Sequence, residues 1–81
     1  MDEELLGTVK LVAFNYAPEG YLPCDGRLLN VNEEQAIYAL VGNTYGGTVG
    51  HNFALPKLQA PMDGLHYIIC MRGLWPSPRI I

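Results

Sequence analysis

Four residues in this chain have the chemistry to hold a transition metal: Cys24, Cys70, His51 and His66. Zinc sites take two like ligands from one tight turn, and neither the cysteine pair nor the histidine pair sits at such a spacing. No metal site within one chain is therefore expected. The alternative is a ring of His51 or His66 side chains converging on the axis of an oligomer. A Cys–His dyad can be written for any chain with one of each. Here Cys24 lies between Pro23 and Asp25, and the adjacent carboxylate disfavours the thiolate that attack requires. The acidic residues gather at Asp2, Glu3 and Glu4 and again at Glu33 and Glu34. These read as a solvated end and a helix start, not as an opposed acid and base. The expectation is a protein with no catalytic residue and no cofactor.

Two other groups suit binding. In Thr44-Tyr45-Gly46-Gly47, consecutive glycine N–H groups can cradle an anion. The plainer reading is a structural turn, because the lysine of a phosphate-binding loop is missing. The functional reading is Tyr45 as an exposed aromatic on a bare Gly46-Gly47 backbone, part of a ligand or partner surface. At the C-terminal end, Leu74, Trp75, Ile80 and Ile81 are large apolar residues separated by Pro76 and Pro78. Prolines bar this stretch from a central sheet, and soluble monomers seldom leave such a patch in water. Burial against a neighbouring copy is the favoured answer; docking on the same chain or on a separate partner are the alternatives. Arg72 and Arg79 would then rim the interface, where they suit an acidic ligand or partner.

Composition points the same way. The chain has 81 residues, of which 49% are hydrophobic, and it forms one domain, 1–81, with an extended tail over 74–81. A domain of this size buries only about 60% of its unfolded surface, so a thin core must be reinforced, and self-association fits the apolar excess. The net charge of -3 and the scattering of Lys10, Arg27, Lys57, Arg72 and Arg79 exclude a nucleic-acid footprint. No apolar run approaches a bilayer span, and the acidic start is not a signal peptide. The expected location is the cytoplasm, at least until some larger particle is released. In that setting Cys24 and Cys70 are read as buried free thiols.

These groups must be positioned by short elements. Thr8 to Phe14 is dense in apolar residues and predicts a mostly buried strand. Tyr21-Leu22-Pro23-Cys24 is a short extended piece, placed at an edge or an end by Pro23. Asp25-Gly26 is a hairpin signal, which makes Arg27-Leu28-Leu29 the partner strand. A helix is predicted over about 33–42, started from Asn30 or Asn32, with Asn32 and Gln35 approximating a capping box and Glu33 and Glu34 at the positive end of the dipole. Ala36, Ile37, Leu40 and Val41 share one face, and Gly42 ends it in the left-handed conformation. Residues 43–52 form a loop with no packing of its own. Phe53, Leu55 and Leu58 anchor the next piece, and Leu65 to Met71 is the last strand. The fold class is α+β: short, mostly antiparallel strands around one helix.

The fragments A-P-E-G-Y-L-P-C-D-G-R-L-L, L-V-G-N-T-Y-G-G and F-A-L-P-K-L, in this order and spacing, resemble the phage tail-collar family, whose members include microcystin-dependent proteins and the collar regions of tail fibres. The likeness runs from Gly7 to Leu58. The closing H-Y-I-I-C-M-R-G-L-W-P-S-P-R is similar to the end of the same proteins. There are departures. Only Gln59 to Leu65 joins the L-P-x-L piece to the final strand, where longer relatives insert a segment. Lys57 and Gln59-Ala60 stand where many relatives have L-P-D-L followed by Arg-Gly. The resemblance implies a non-enzymatic homo-oligomer, a trimer of the kind found in tail fibres, with other tail components as further partners. The alternative is a free cytoplasmic oligomer of phage or prophage origin that binds a small ligand, a sugar or signalling nucleotide, in clefts between protomers.

Overall fold

The computed structural model of the chain describes residues 4–76. Five strands and one helix follow in order: β1 (Val9–Val12), β2 (Tyr21–Pro23), β3 (Leu28–Asn30), α1 (Gln35–Val41), β4 (Asn52–Ala54) and β5 (His66–Cys70). They form a three-stranded sheet, β1-β5-β2, and a two-stranded sheet, β3-β4. All strand pairings within the two sheets are antiparallel, so the α+β class expected from the sequence is the one observed.

β5 is the central strand because it is the most apolar one. Ile68, Ile69 and Cys70 are all buried, and a strand covered on both faces reads as a continuous apolar run. Its two faces meet different material. Ile69 lies between Val9 and Leu22 in register and joins the core with Leu6, Cys24, Ile37, Phe53, Leu55 and Met71. On the other face Ile68 and Cys70 pair with Lys10, Pro23 and Tyr21. There Glu4 bonds both Lys10 Nζ and the Tyr21 hydroxyl, and Lys10 Nζ stands 5.3 Å from the centre of the Tyr21 ring. A polar lid thus covers the second buried layer.

Several expectations fail. β1 is an outer strand, and Val9 and Leu11 are each 39% exposed; an apolar run signals one covered face, not two. Asp25-Gly26 does not close a hairpin. β2 pairs with β5 and β3 pairs with β4, so the chain passes from one sheet to the other there. Gly26 does adopt a positive φ of 81°, but Asp25 holds its own turn by accepting from Arg27 N at 3.2 Å and bridges to Lys57.

The helix is also shorter than predicted. Glu34 is its N-cap residue and makes no side-chain cap bond. Asn30 instead closes a local turn, its Oδ1 accepting from Asn32 N at 2.7 Å, which takes the N–H that a capping box would have paired with Gln35. Ile37 is buried, with Tyr38 and Val41 packed against the core, whereas Ala36 and Leu40 face outward. Gly42 has the expected positive φ, 56°, but ψ is -144°, outside the left-handed helical region. Phe53 and Leu55 anchor the core as expected, while Leu58 is exposed. The 43–52 loop is mostly exposed, as expected of a segment without packing of its own, but hydrogen bonds tie it to α1 and β4.

Candidate functional site

The C-terminal segment is positioned by the chain's own beginning. Leu5 and Leu74 form a parallel bridge: Leu74 N donates to Glu4 O at 2.9 Å, and Leu6 N donates to Leu74 O at 2.7 Å. This clasp holds the backbone and leaves the side chains outside. Leu74 and Trp75 are 51% and 50% exposed, beside Leu5 at 49%. Arg79, Ile80 and Ile81 lie outside the described residues.

Arg72, at the start of this segment, is engaged. Its guanidinium donates to Glu34 Oε1 at 2.7 Å and Oε2 at 3.2 Å, and to Met71 O at 2.8 Å. The Glu34 carboxylate holds the guanidinium pKa above its usual range. An open cleft of about 490 Å³ beside this pair is lined by Glu19, Gly20, Tyr21, Leu22, Glu34, Met71 and Arg72. Its one cation is already matched by Glu34, and Glu19 adds a second carboxylate. Sequence reasoning missed Glu34 here, because acidic residues at a helix start are fully accounted for by the dipole.

The Tyr45 group sits elsewhere, between α1 and β4. Tyr45 is 52% exposed, as expected. Gly46 O accepts from Ala54 N at 3.1 Å, and Gly46 N donates to Asn43 O at 3.2 Å, so this backbone is committed to the fold. The organiser is Asn43. Its Nδ2 donates to Gly46 O and Asn52 O at 3.0 and 2.9 Å, and its Oδ1 accepts from the Tyr38 hydroxyl at 2.7 Å. A Cβ on Gly47 would stand 2.6 Å from Phe53 Cα, so the glycine is there for close packing. The signal that would have found Asn43 is its type: a short amide after a helix end bonds nearby backbone.

Neither histidine meets a metal-like set. His51 and His66 are both exposed, and among the described residues no three His, Cys, Asp or Glu side chains converge. Cys24 and Cys70 are buried free thiols. Burial first, then the Asp25 charge, pushes the Cys24 thiol up to about 11. The sequence had pointed to both burial and the charge, without ranking them. No helix among the described residues is long and apolar enough to cross a membrane.

What this geometry defines is a small antiparallel α+β module with an apolar outer strand and a clasped, half-exposed C-terminal segment. A family model of the Phage Tail Collar Domain matches residues 7–62, and the chain belongs to that family. The matched segment starts where the sequence resemblance starts and runs past Leu58 to Met62. β5 and the clasp lie beyond it. No curated protein and no solved structure matches the chain.

Proposed function

We propose that this chain is a non-enzymatic structural component of a phage-type tail, whose copies assemble, as trimers, through the C-terminal segment. The observation that carries this reading is the clasp. It fixes the backbone of Leu74 to Glu4 and Leu6 while leaving Leu5, Leu74 and Trp75 each half exposed. A chain that spends hydrogen bonds on holding apolar side chains in water is presenting them. Ile80 and Ile81 extend the same composition. Membership of a tail-collar family supports a structural role, and no acid, base or nucleophile is assembled among the described residues to support another.

A second reading is a small-ligand role, favoured by the open cleft beside Arg72, whose size falls within the ordinary range for ligand sites. With Arg72 matched by Glu34, a neutral sugar suits it better than a nucleotide. Arg79 and Tyr45 would then act from a neighbouring protomer.

Light scattering on the purified chain tests assembly directly. Trp75→Ser, and truncation after Pro76, spare the Leu74 clasp and should each shift the mass toward the monomer. An unchanged oligomer in both variants removes the C-terminal segment from the interface, and a monomeric wild type removes assembly itself. A thermal shift with sugars but not with nucleotides would favour the second reading.

A further inference from the structure

The three-stranded sheet has two outer edges of opposite character. On β2, Gly20 O accepts from Met71 N at 2.7 Å and Cys24 N donates to Tyr67 O at 3.0 Å. Antiparallel alternation therefore turns the backbone of Tyr21 and Pro23 outward. The Tyr21 N–H is taken by Pro18 O at 2.9 Å and Pro23 has none, so this edge offers no donor. On β1, Thr8 O accepts from Cys70 N at 2.8 Å, and the same alternation turns the N–H and C=O of Val9 and Leu11 away from β5. Among the described residues nothing pairs with them.

An edge of this kind is ordinarily guarded by a charge or a proline. The single charge of β1, Lys10, is withdrawn: it lies on the opposite face, held by Glu4 and laid over Tyr21. Val9 and Leu11 are left exposed, continued by Phe14 and Tyr16, whose rings stack at 4.7 Å.

We propose that β1 pairs antiparallel with β1 of a second copy, about a two-fold axis through Leu11. An incoming strand must bring donors and acceptors at alternate positions. The β2 edge has no donor, and on β3 Asn30 O is already taken by Glu33 N and Glu34 N. On β4 the outward N–H groups of Asn52 and Ala54 are held by Thr48 O and Gly46 O, and among the described residues β3 keeps both groups free at Leu28 alone. With two such residues, Val9 and Leu11, β1 is the edge that best complements β1, and the contact is isologous. Backbone and charge together select the register. An axis through Val9 would set Leu11 opposite Gly7, whose N–H is already bonded to Cys70 O. An axis through Lys10 would set two ammonium groups directly opposite, which is destabilising. An axis through Leu11 sets Lys10 opposite Val12 of the second copy. A ribbon this short covers less than the roughly 1,200 Å² of a stable interface, so the pair exchanges rapidly and supplements the C-terminal contact. The two contacts lie on different elements and stand or fall separately.

Leu11→Cys in the full chain tests the pairing. Opposed residues of a hydrogen-bonded pair have Cα atoms about 5.5 Å apart, inside disulfide range, and the buried Cys24 and Cys70 do not compete. Under mild oxidation L11C should form covalent dimer on the order of ten times faster than the exposed controls V9C and L28C. It should do so equally in a chain truncated after Pro76. In the wild type, exchange of the Val9 and Leu11 amides should slow as protein concentration rises. Equal cross-linking of all three variants, faster cross-linking of V9C, or concentration-independent exchange of both amides overturns the proposal.

Discussion

Gly73 lies so close to Glu4 that a Cβ on the glycine would stand 2.4 Å from the Glu4 carbonyl oxygen and 2.9 Å from Cys70 Sγ. The clasp between the two ends of the described chain therefore requires a residue without a side chain, for reasons of space. The atoms in the way are backbone and a buried thiol, neither of which can swing aside. Gly73→Ala should destabilise the fold by about 1–3 kcal/mol, the usual range for overpacking, seen as a lower thermal midpoint. A midpoint equal to wild type would show that the ends do not close in this way.

The Arg72–Glu34 pair joins the turn after β5 to the residue that opens α1. It is bidentate, at 2.7 and 3.2 Å, but the arginine side chain is 65% exposed. Solvent screening therefore limits it to about 1 kcal/mol or less. In a double-mutant cycle of Arg72→Met and Glu34→Gln, the coupling should be favourable at low salt and shrink in 1 M salt. A coupling that ignores salt would mean that the pair acts through packing.

Two carboxyls make the fold sensitive to acid. Bonds from Lys10 and then Tyr21 hold Glu4 below its ordinary value of 4.5, and Arg27 holds Asp25 below its ordinary value of 3.8. The unfolded chain binds protons more readily at both, so stability rises with pH through the acid range and is complete above these ordinary values. It is lost as pH falls through the lower folded values. Glu4→Gln should flatten the acid limb of a plot of unfolding midpoint against pH. An unaltered limb would sever Glu4 from the lid over Ile68 and Cys70.

Much of this was legible in the residue order. Pro23 placed β2 at an edge or an end, and the apolar run at Leu65 to Met71 marked the last strand, because both signals are local; that this strand is central was not legible. Partner choice was not legible. Asp25-Gly26 carries hairpin chemistry, yet β2 and β3 join different sheets, since which strand β5 accepts depends on burial of Ile68 and Ile69 rather than on the turn. The run from Thr8 to Phe14 looked buried because apolar content does not distinguish a strand covered on one face from one covered on both. Trp75 and Leu74 were legible as surface apolar residues. Glu34 as the counterion of Arg72 was not, because that contact joins residues 38 positions apart.

The thiol of Cys24 should be inert while the fold is intact. Burial, then Asp25, pushes it up to about 11 from an ordinary 9.0, and the residue is 4% exposed. A thiolate-seeking reagent at pH 8 should label Cys24 only at the rate of opening, and labelling should accelerate with denaturant in step with unfolding. Because the unfolded thiol ionises first, stability should also decline as pH rises from about 9 toward about 11. Stoichiometric labelling in native buffer would contradict the burial of Cys24.

Asn43 carries the loop that presents Tyr45. Its amide donates to Gly46 O and Asn52 O and accepts from the Tyr38 hydroxyl, while the Tyr38 ring lies 5.3 Å from that of Phe53 in the core. The same hydroxyl accepts from Gly50 N at 3.3 Å, so one side chain ties α1, the loop and β4 together. Asn43→Ala leaves these part-buried groups without their partner and should destabilise by about 1–3 kcal/mol. Asn43→Asp separates the roles. It keeps the acceptor for Tyr38 but removes both donors and sets a carboxylate against two carbonyls. Amide exchange at Gly46, Thr48 and Ala54 should therefore quicken in both variants, with protection at β5 unchanged. Exchange spread evenly over the molecule would instead make Asn43 part of the global core rather than the organiser of its loop.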